Sequence, residues 1–207
     1  MRLGIIADIH GNLPALEEAL LIGGAGGVEQ WICLGDIVDG GRWDGECVEL
    51  IRRRNIPTVQ GNHDVHHPQP LSDDLEAFLA ELPEELEKHG IFCTHISPRT
   101  KRKRKVADRY EAWNVFDETS HGHMLVGHSH LSVAWRFNER CLPGECDETI
   151  LDFRTLYHLD PDSRHIISVG SLGYSRDLSP APRFGILDVD GRSLTIVPVT
   201  ADPVISR

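Results

Sequence analysis

The chain predicts an α/β fold with two sheets, and three observations carry that reading. Strand-like and helix-like segments alternate through the first 130 residues, as a layered α/β domain requires. After His130 the pattern turns to β-favouring composition and alternation, enough to supply a second sheet. Finally, five short apolar runs each stop at a residue able to hold a metal or a phosphate. These stops are Asp8 and His10, Asp36, Asn62 and His63, His95, and His128 and His130. In open α/β sheets the loops leaving the carboxyl ends of strands form the ligand crevice, so these side chains can converge.

The elements follow in order. Residues 2–7 form the first strand, and Asn12 with Pro14 starts a helix at about Leu13 that ends at Gly23 and Gly24. A second strand covers 30–34, and a Gly40–Gly41 turn leads to a helix over about 44–53. A third strand occupies 57–60. Ser72 caps a helix running through Leu82, Pro83 restarts a shorter one, and Gly90 precedes a fourth strand at 91–94. Residues 103–116 have helical spacing, with Val106, Tyr110 and Trp113 on one packing side. Strands are expected at 124–127, 131–137, 149–157, 165–169, 183–187 and 193–199.

A length of 207 residues suits a single domain spanning the chain, with an unassigned elaboration at about 136–164 that reads as a rim, an oligomer contact or a surface excursion. Met1 leads at once into a strand, and no run approaches 18 apolar residues, so no leader or membrane span is expected. The five cysteines are odd in number. Cys33 and Cys93 fall in buried strands, and Cys141 and Cys146 are spaced too widely for a CxxC pair. That usage suits free thiols and a cytoplasmic location.

The net charge of −11 argues against general nucleic-acid binding, which depends on Lys and Arg neutralising phosphates. One local exception is the run Arg99, Lys101, Arg102, Lys103, Arg104 and Lys105. It reads either as a solvated loop and helix start or as a patch receiving an anionic substrate.

Individually, a DxH, a GDxxD or a GxH is a weak motif. Together and in this order, Asp8-x-His10, Gly35-Asp36-x-x-Asp39, Gly61-Asn62-His63-Asp64, His95 and Gly127-His128-x-His130 resemble the calcineurin-like metallophosphoesterase superfamily. The stretch from Asp8 to Asn12, with Gly170-Ser171, is most similar to its small single-domain bacterial and archaeal phosphodiesterases. The resemblance implies a four-layer αββα sandwich of two mixed sheets flanked by helices. It also implies that Asp8, His10 and His130 hold one divalent metal ion, that Asn62, His95 and His128 hold a second, and that Asp36 bridges both. The implied ions are Mn first, with Fe, Zn, Ni, Co or Mg also admitted. A ligand set without cysteine lacks the soft-donor preference of structural zinc.

By the same resemblance, the chain hydrolyses small phosphodiesters or nucleotide phosphoesters through attack of a metal-bridging hydroxide. His63 acts on the phosphoryl oxygens or the leaving alkoxide, and Asp39 orients His63. A metal-dependent nuclease and a non-catalytic scaffold or binding member of the same fold stand as alternatives. Asp39 also reads as a simple turn residue and Asp64 as a strand-end cap. Protein phosphatases of the superfamily carry Arg directly after the second Asp of GDxxD. Here that position is Gly40, which argues against a protein substrate. Oligomeric state is left open.

Overall fold

Alternation along the strands builds two sheets with a shared interior. In the first strand, β1 (Arg2–Ile6), Leu3 and Ile5 face one way and Ile6 the other, as a period of two demands. A computed structural model of the chain describes residues 1–39, 42–101, 103–153, 155–177 and 179–204. The expected turn at Gly40 and Gly41, and Arg102 of the basic run, lie outside the described residues.

Its elements continue as α1 (Leu13–Ala25), β2 (Gln30–Cys33), α2 (Asp44–Arg53), α3 (Asn62–Val65), α4 (Asp73–Ala80), β3 (Glu85–Lys88), β4 (Ile91–Thr94) and α5 (Arg109–Glu118). The remainder is β: β5 (His123–Val126), β6 (Ser132–Phe137), β7 (Asp147–Ile150), β8 (Leu156–His158), β9 (Arg164–Val169), β10 (Arg183–Asp188) and β11 (Ser193–Pro198).

One sheet has the order β2-β1-β10-β11-β8 and the other β3-β4-β5-β9-β6-β7. Both are mixed: β1 with β2, β4 with β5 and β5 with β9 are parallel, and the remaining pairs are antiparallel. Leu3, Ile5 and Ile32 from the first sheet meet Cys93, Leu125 and Ile167 from the second in one buried cluster. Outside the first sheet, Leu16 and Ala19 of α1, Val48 and Ile51 of α2 and Leu79 of α4 pack on Ile6, Cys33 and Phe184. Outside the second, Ala112, Val115 and Phe116 of α5 pack on Met124, Val126, Trp135 and Ile166. The result is the expected αββα sandwich.

Four local expectations fail, each for a tertiary reason. The helix expected after Pro83 is instead β3, paired antiparallel with β4. His89 and Gly90 both have positive φ, 55° and 72°, and so form a two-residue hairpin turn that overrides the helical preference of Glu85-Leu-Glu-Lys88. Residues 57–60 make only an isolated parallel bridge, Cys33 to Thr58, because Pro57 has no N–H to give a ladder. The helix expected over 103–116 begins at Arg109, where the Asp108 carboxylate accepts from the N–H groups of Tyr110 and Glu111, both at 2.9 Å. Tyr110 is consequently exposed rather than core-facing, while Val106 is buried.

The last failure concerns 149–157, which divides between β7 at the edge of one sheet and β8 at the edge of the other. The unassigned segment at 136–164 thus supplies an edge strand to each sheet. No helix among the described residues is long and apolar enough to cross a membrane.

Candidate metal centre

The parallel strands β1, β2, β4 and β5 end on one side of the sandwich, and the loops leaving them carry Asp8 and His10, Asp36, His95, and His128 and His130. Asn62 and His63 open α3, just past the Cys33–Thr58 bridge. The backbone at these stops is unusual. Of nine non-glycine residues with positive φ among those described, six are Asp8, His10, Asp36, Asp39, His128 and His130. Such conformations cost on the order of 1–3 kcal/mol each and persist only where surrounding contacts enforce them. Here the enforcement is visible: Asp8 N–H donates to Gly35 O at 3.0 Å, His10 N–H to Asp36 O at 3.0 Å, and Gly173 N–H to Asp8 O at 2.8 Å. Gly61 serves close approach, since a Cβ there would overlap Asp36.

Two groups of buried or half-buried donors result. Asp8, His10, Asp36 and His130 form one, and Asp36, His95 and His128 the other, with donor atoms within 4.8 Å of one another in each. Asp36 belongs to both. Its Oδ2 lies 3.1 Å from His95 Nε2 and 3.9 Å from His10 Nε2. Asn62 Oδ1 adds a neutral oxygen 3.2 Å from His95 Nε2.

Carbonyl groups set which imidazole nitrogen faces the cluster. His95 Nδ1 is 2.7 Å from Leu34 O and His130 Nδ1 is 2.8 Å from Tyr174 O, so each Nδ1–H donates outward and leaves Nε2 for a cation.

Three observations fit a cation here. Asp8 Oδ2 is buried without a hydrogen-bond partner, His10 Nε2 and His130 Nε2 converge to 3.3 Å, and His130 Nε2 is also 3.3 Å from Asp8 Oδ1. The electrostatics agree. Burial lowers the pKa of His10 and of His128 to about 4, which keeps these imidazoles neutral and able to ligate. Burial also works against the charged forms of His95 and Asp36. Their mutual hydrogen bond overcomes it, raising His95 to about 9 and holding Asp36 below the usual carboxylate range. A proton shared by this pair neutralises a buried carboxylate, which is what a bound cation would do.

His63 stands apart from the two groups. Its ring is T-shaped to His10 with centroids 5.0 Å apart, its Nδ1 pairs with Asp39 Oδ2, and its Nε2 is 4.0 Å from Asp36 Oδ2. With 32% of the side chain exposed, it is accessible where the donor histidines are buried. All nine residues singled out in the sequence therefore meet at one place.

Other contributors were not legible as such. Tyr174 lays its ring against His10 and His130, at 5.2 and 4.4 Å between centroids. Ser171 Oγ donates to Asp8 O at 2.7 Å and accepts from the N–H groups of Gly173 and Tyr174. Asp44 Oδ2 accepts from Asp39 N–H at 3.1 Å.

Asp64 exceeds the strand-end cap expected of it. Its two oxygens accept from the N–H groups of Asp36, Gly61 and Ile37 at 2.8–2.9 Å, tying the loop after β2 to the start of α3. Burial and the Asp36 charge push its carboxyl upward. Asp64→Ala would orphan three buried N–H groups at about 1–3 kcal/mol each, partly offset by removing a buried charge. We expect roughly 3 kcal/mol lost in chemical denaturation of the metal-free protein, with Asp64→Asn losing less. Unchanged stability in Asp64→Ala would refute this role.

The basic run divides. Arg99 is buried and bonded to Glu111 and Glu118 at 2.6 Å, a packing role rather than part of an anion-receiving patch. Ser168 likewise packs, bonding Ser129 Oγ and Leu131 O.

Comparisons with known proteins agree with this arrangement. An uncharacterized protein of Methanocaldococcus jannaschii, MJ0912, is 28% identical over 97% of this chain and 88% of its own length. A metallophosphoesterase from Sphaerobacter thermophilus superposes with a TM-score of 0.82 at 28% identity, covering 97% of this chain and 89% of that one. Hypothetical protein PH1004 from Pyrococcus horikoshii OT3 shares the fold, with a TM-score of 0.67 at 20% identity over 97% of this chain and 88% of that one. The family model for calcineurin-like phosphoesterases matches residues 1–162, which include all nine residues of the cluster. This chain belongs to the calcineurin-like phosphoesterase family.

Proposed function

We propose that the chain is a dinuclear metal-dependent phosphoesterase acting on small phosphodiesters or nucleotide phosphoesters. Family membership supports a hydrolase of phosphoester bonds that uses divalent metal. The observation that carries the finer reading is the sharing of Asp36 between two donor groups, with the half-exposed His63 beside it. In this reading Asp8, His10 and His130 hold one ion, Asn62, His95 and His128 the other, and Asp36 both, with Mn first among the candidates. Two bound divalent ions would polarise a phosphoryl group and lower the pKa of water.

The chain's own residues do the rest. His63 Nε2 lies on the Asp36 side while Asp39 takes Nδ1, which fixes the orientation of the ring. From there His63 stabilises charge on the phosphoryl oxygens or gives its proton to the leaving alkoxide, a poor leaving group without one. Neutral Asn62 makes the His95 side the weaker half of the centre.

The test is metal-free protein reloaded with Mn, Ni, Zn or Mg and assayed on a monoester, a diester and a nucleotide panel, alongside metal analysis. We expect chelation to abolish turnover, Mn to restore it, and Asn62→Ala to lose the weaker ion while retaining the other. Metal binding without turnover on any substrate would point instead to a non-catalytic member of the fold.

A further inference from the structure

Arg99 and Val106 are fixed points on either side of the basic run. Arg99 is held by Glu111 and Glu118, and Val106 is fully buried against α5. Between these anchors Lys101, Lys103, Arg104 and Lys105 are exposed. The Lys101 charge acts on Glu118, on the α5 side, whereas the Lys105 charge acts on His128.

Lys103 lines a cavity of about 270 Å³ together with Asn62, His95, Val65, Ile96 and Glu84. The cavity therefore opens from the Asn62–His95 half of the centre. At about 30 Å³ per water it has room for a phosphate with part of a sugar, and Val65 and Ile96 offer that sugar an apolar wall.

Lys103 pairs with Glu84, and their side chains are 37% and 71% exposed. An exposed pair of this kind is weak, so a phosphate dianion, which makes stronger charge-assisted hydrogen bonds, can displace the carboxylate. The reaction proposed above has no use for this cation, because the metal ligands and His63 already face the scissile group.

We propose that this cavity binds a second phosphate of the substrate, with Lys103 as its contact and Glu84 as the internal anion it displaces. The substrate class is then a nucleotide-like phosphoester bearing a second phosphate, as in a nucleoside bisphosphate. The inference rests on the phosphoesterase reading.

The test is calorimetric titration of metal-loaded protein in a His63→Ala background, so that the probes persist, with adenosine 3′,5′-bisphosphate and adenosine 5′-monophosphate. The measured quantity is the ratio of the two affinities. We expect the parent protein to favour the bisphosphate. Lys103→Gln should lower the ratio about tenfold, as loss of a charge-assisted contact implies. Glu84→Gln should raise it about threefold by freeing Lys103. Lys101→Gln, with the same change in net charge, should leave it unchanged.

A parent ratio near one would overturn the inference while leaving the phosphoesterase reading in place. Equal effects of Lys101→Gln and Lys103→Gln would overturn it too, in favour of a general basic surface of the kind an oligonucleotide uses. Failure to bind either nucleotide would overturn the inference, while the phosphoesterase reading stands or falls on turnover of the ester panel.

Discussion

Replacing His63 with alanine is expected to lower turnover by about 100-fold or more while leaving metal content unchanged. The imidazole is not one of the two donor groups, and its Nδ1 is already engaged by Asp39. Its removal should therefore spare the ions and take away the group that meets developing charge on the phosphoryl oxygens or the leaving alkoxide. The loss should be larger for substrates with a strongly basic alkoxide than for nitrophenyl esters, whose leaving group needs no proton. Asp39→Asn should give a smaller loss in the same direction, since it leaves the ring in place but without a charged partner. Plotting turnover against leaving-group pKa for wild type and His63→Ala separates the two roles. A steeper dependence in the variant marks proton donation, and a parallel drop marks phosphoryl stabilisation. Wild-type turnover in His63→Ala would sink both.

Asp36→Asn is expected to reduce metal affinity at both halves of the centre, by more than the roughly 10–100-fold typical of losing an outer hydrogen-bond partner, and turnover with it. The substitution isolates charge from shape. An Asn carbonyl can still accept the His63 N–H bond that Asp36 Oδ1 takes at 2.9 Å, so the start of α3 keeps its place. What disappears is the negative charge lying between His95 and His10.

In metal-free protein the same substitution removes the charge that pairs with His95, which outweighs the relief of repulsion with Asp64, so stability there should fall. The rise in Tm on adding Mn should shrink, because ligand-linked stabilisation follows affinity. Metal analysis together with thermal melts at several Mn concentrations reads both effects. Unchanged metal content and an unchanged Tm shift would refute Asp36 as the shared ligand.

Much of the site was legible because its signals are local. A short apolar run that ends in Asp, His or Gly marks a strand and the loop after it, and five such stops in one order constrain the fold class and the donor set together. The left-handed backbone at Asp36 and His128 has the same origin, since each directly follows a glycine, Gly35 or Gly127, where the chain turns.

Less local features were misread. Glu85-Leu-Glu-Lys88 has helical preference in isolation, but the His89–Gly90 hairpin commits it to the edge beside β4. The run 149–157 has continuous strand composition, yet its two ends join different sheets.

The sequence by itself determined most of the alternation of elements, the four strand ends that carry seven of the nine candidate residues, and the family they resemble, because each depends on neighbours along the chain. Only the tertiary structure decided how charge is distributed around them. Arg99 is drawn into α5 by Glu111 and Glu118, Lys103 is set over a cavity beside His95, and Asp64 reaches back to the loop after β2. The physical reason is range. Backbone propensity acts over a few residues, whereas the partner of a charge or of a buried N–H is chosen by whatever the fold brings within about 3 Å.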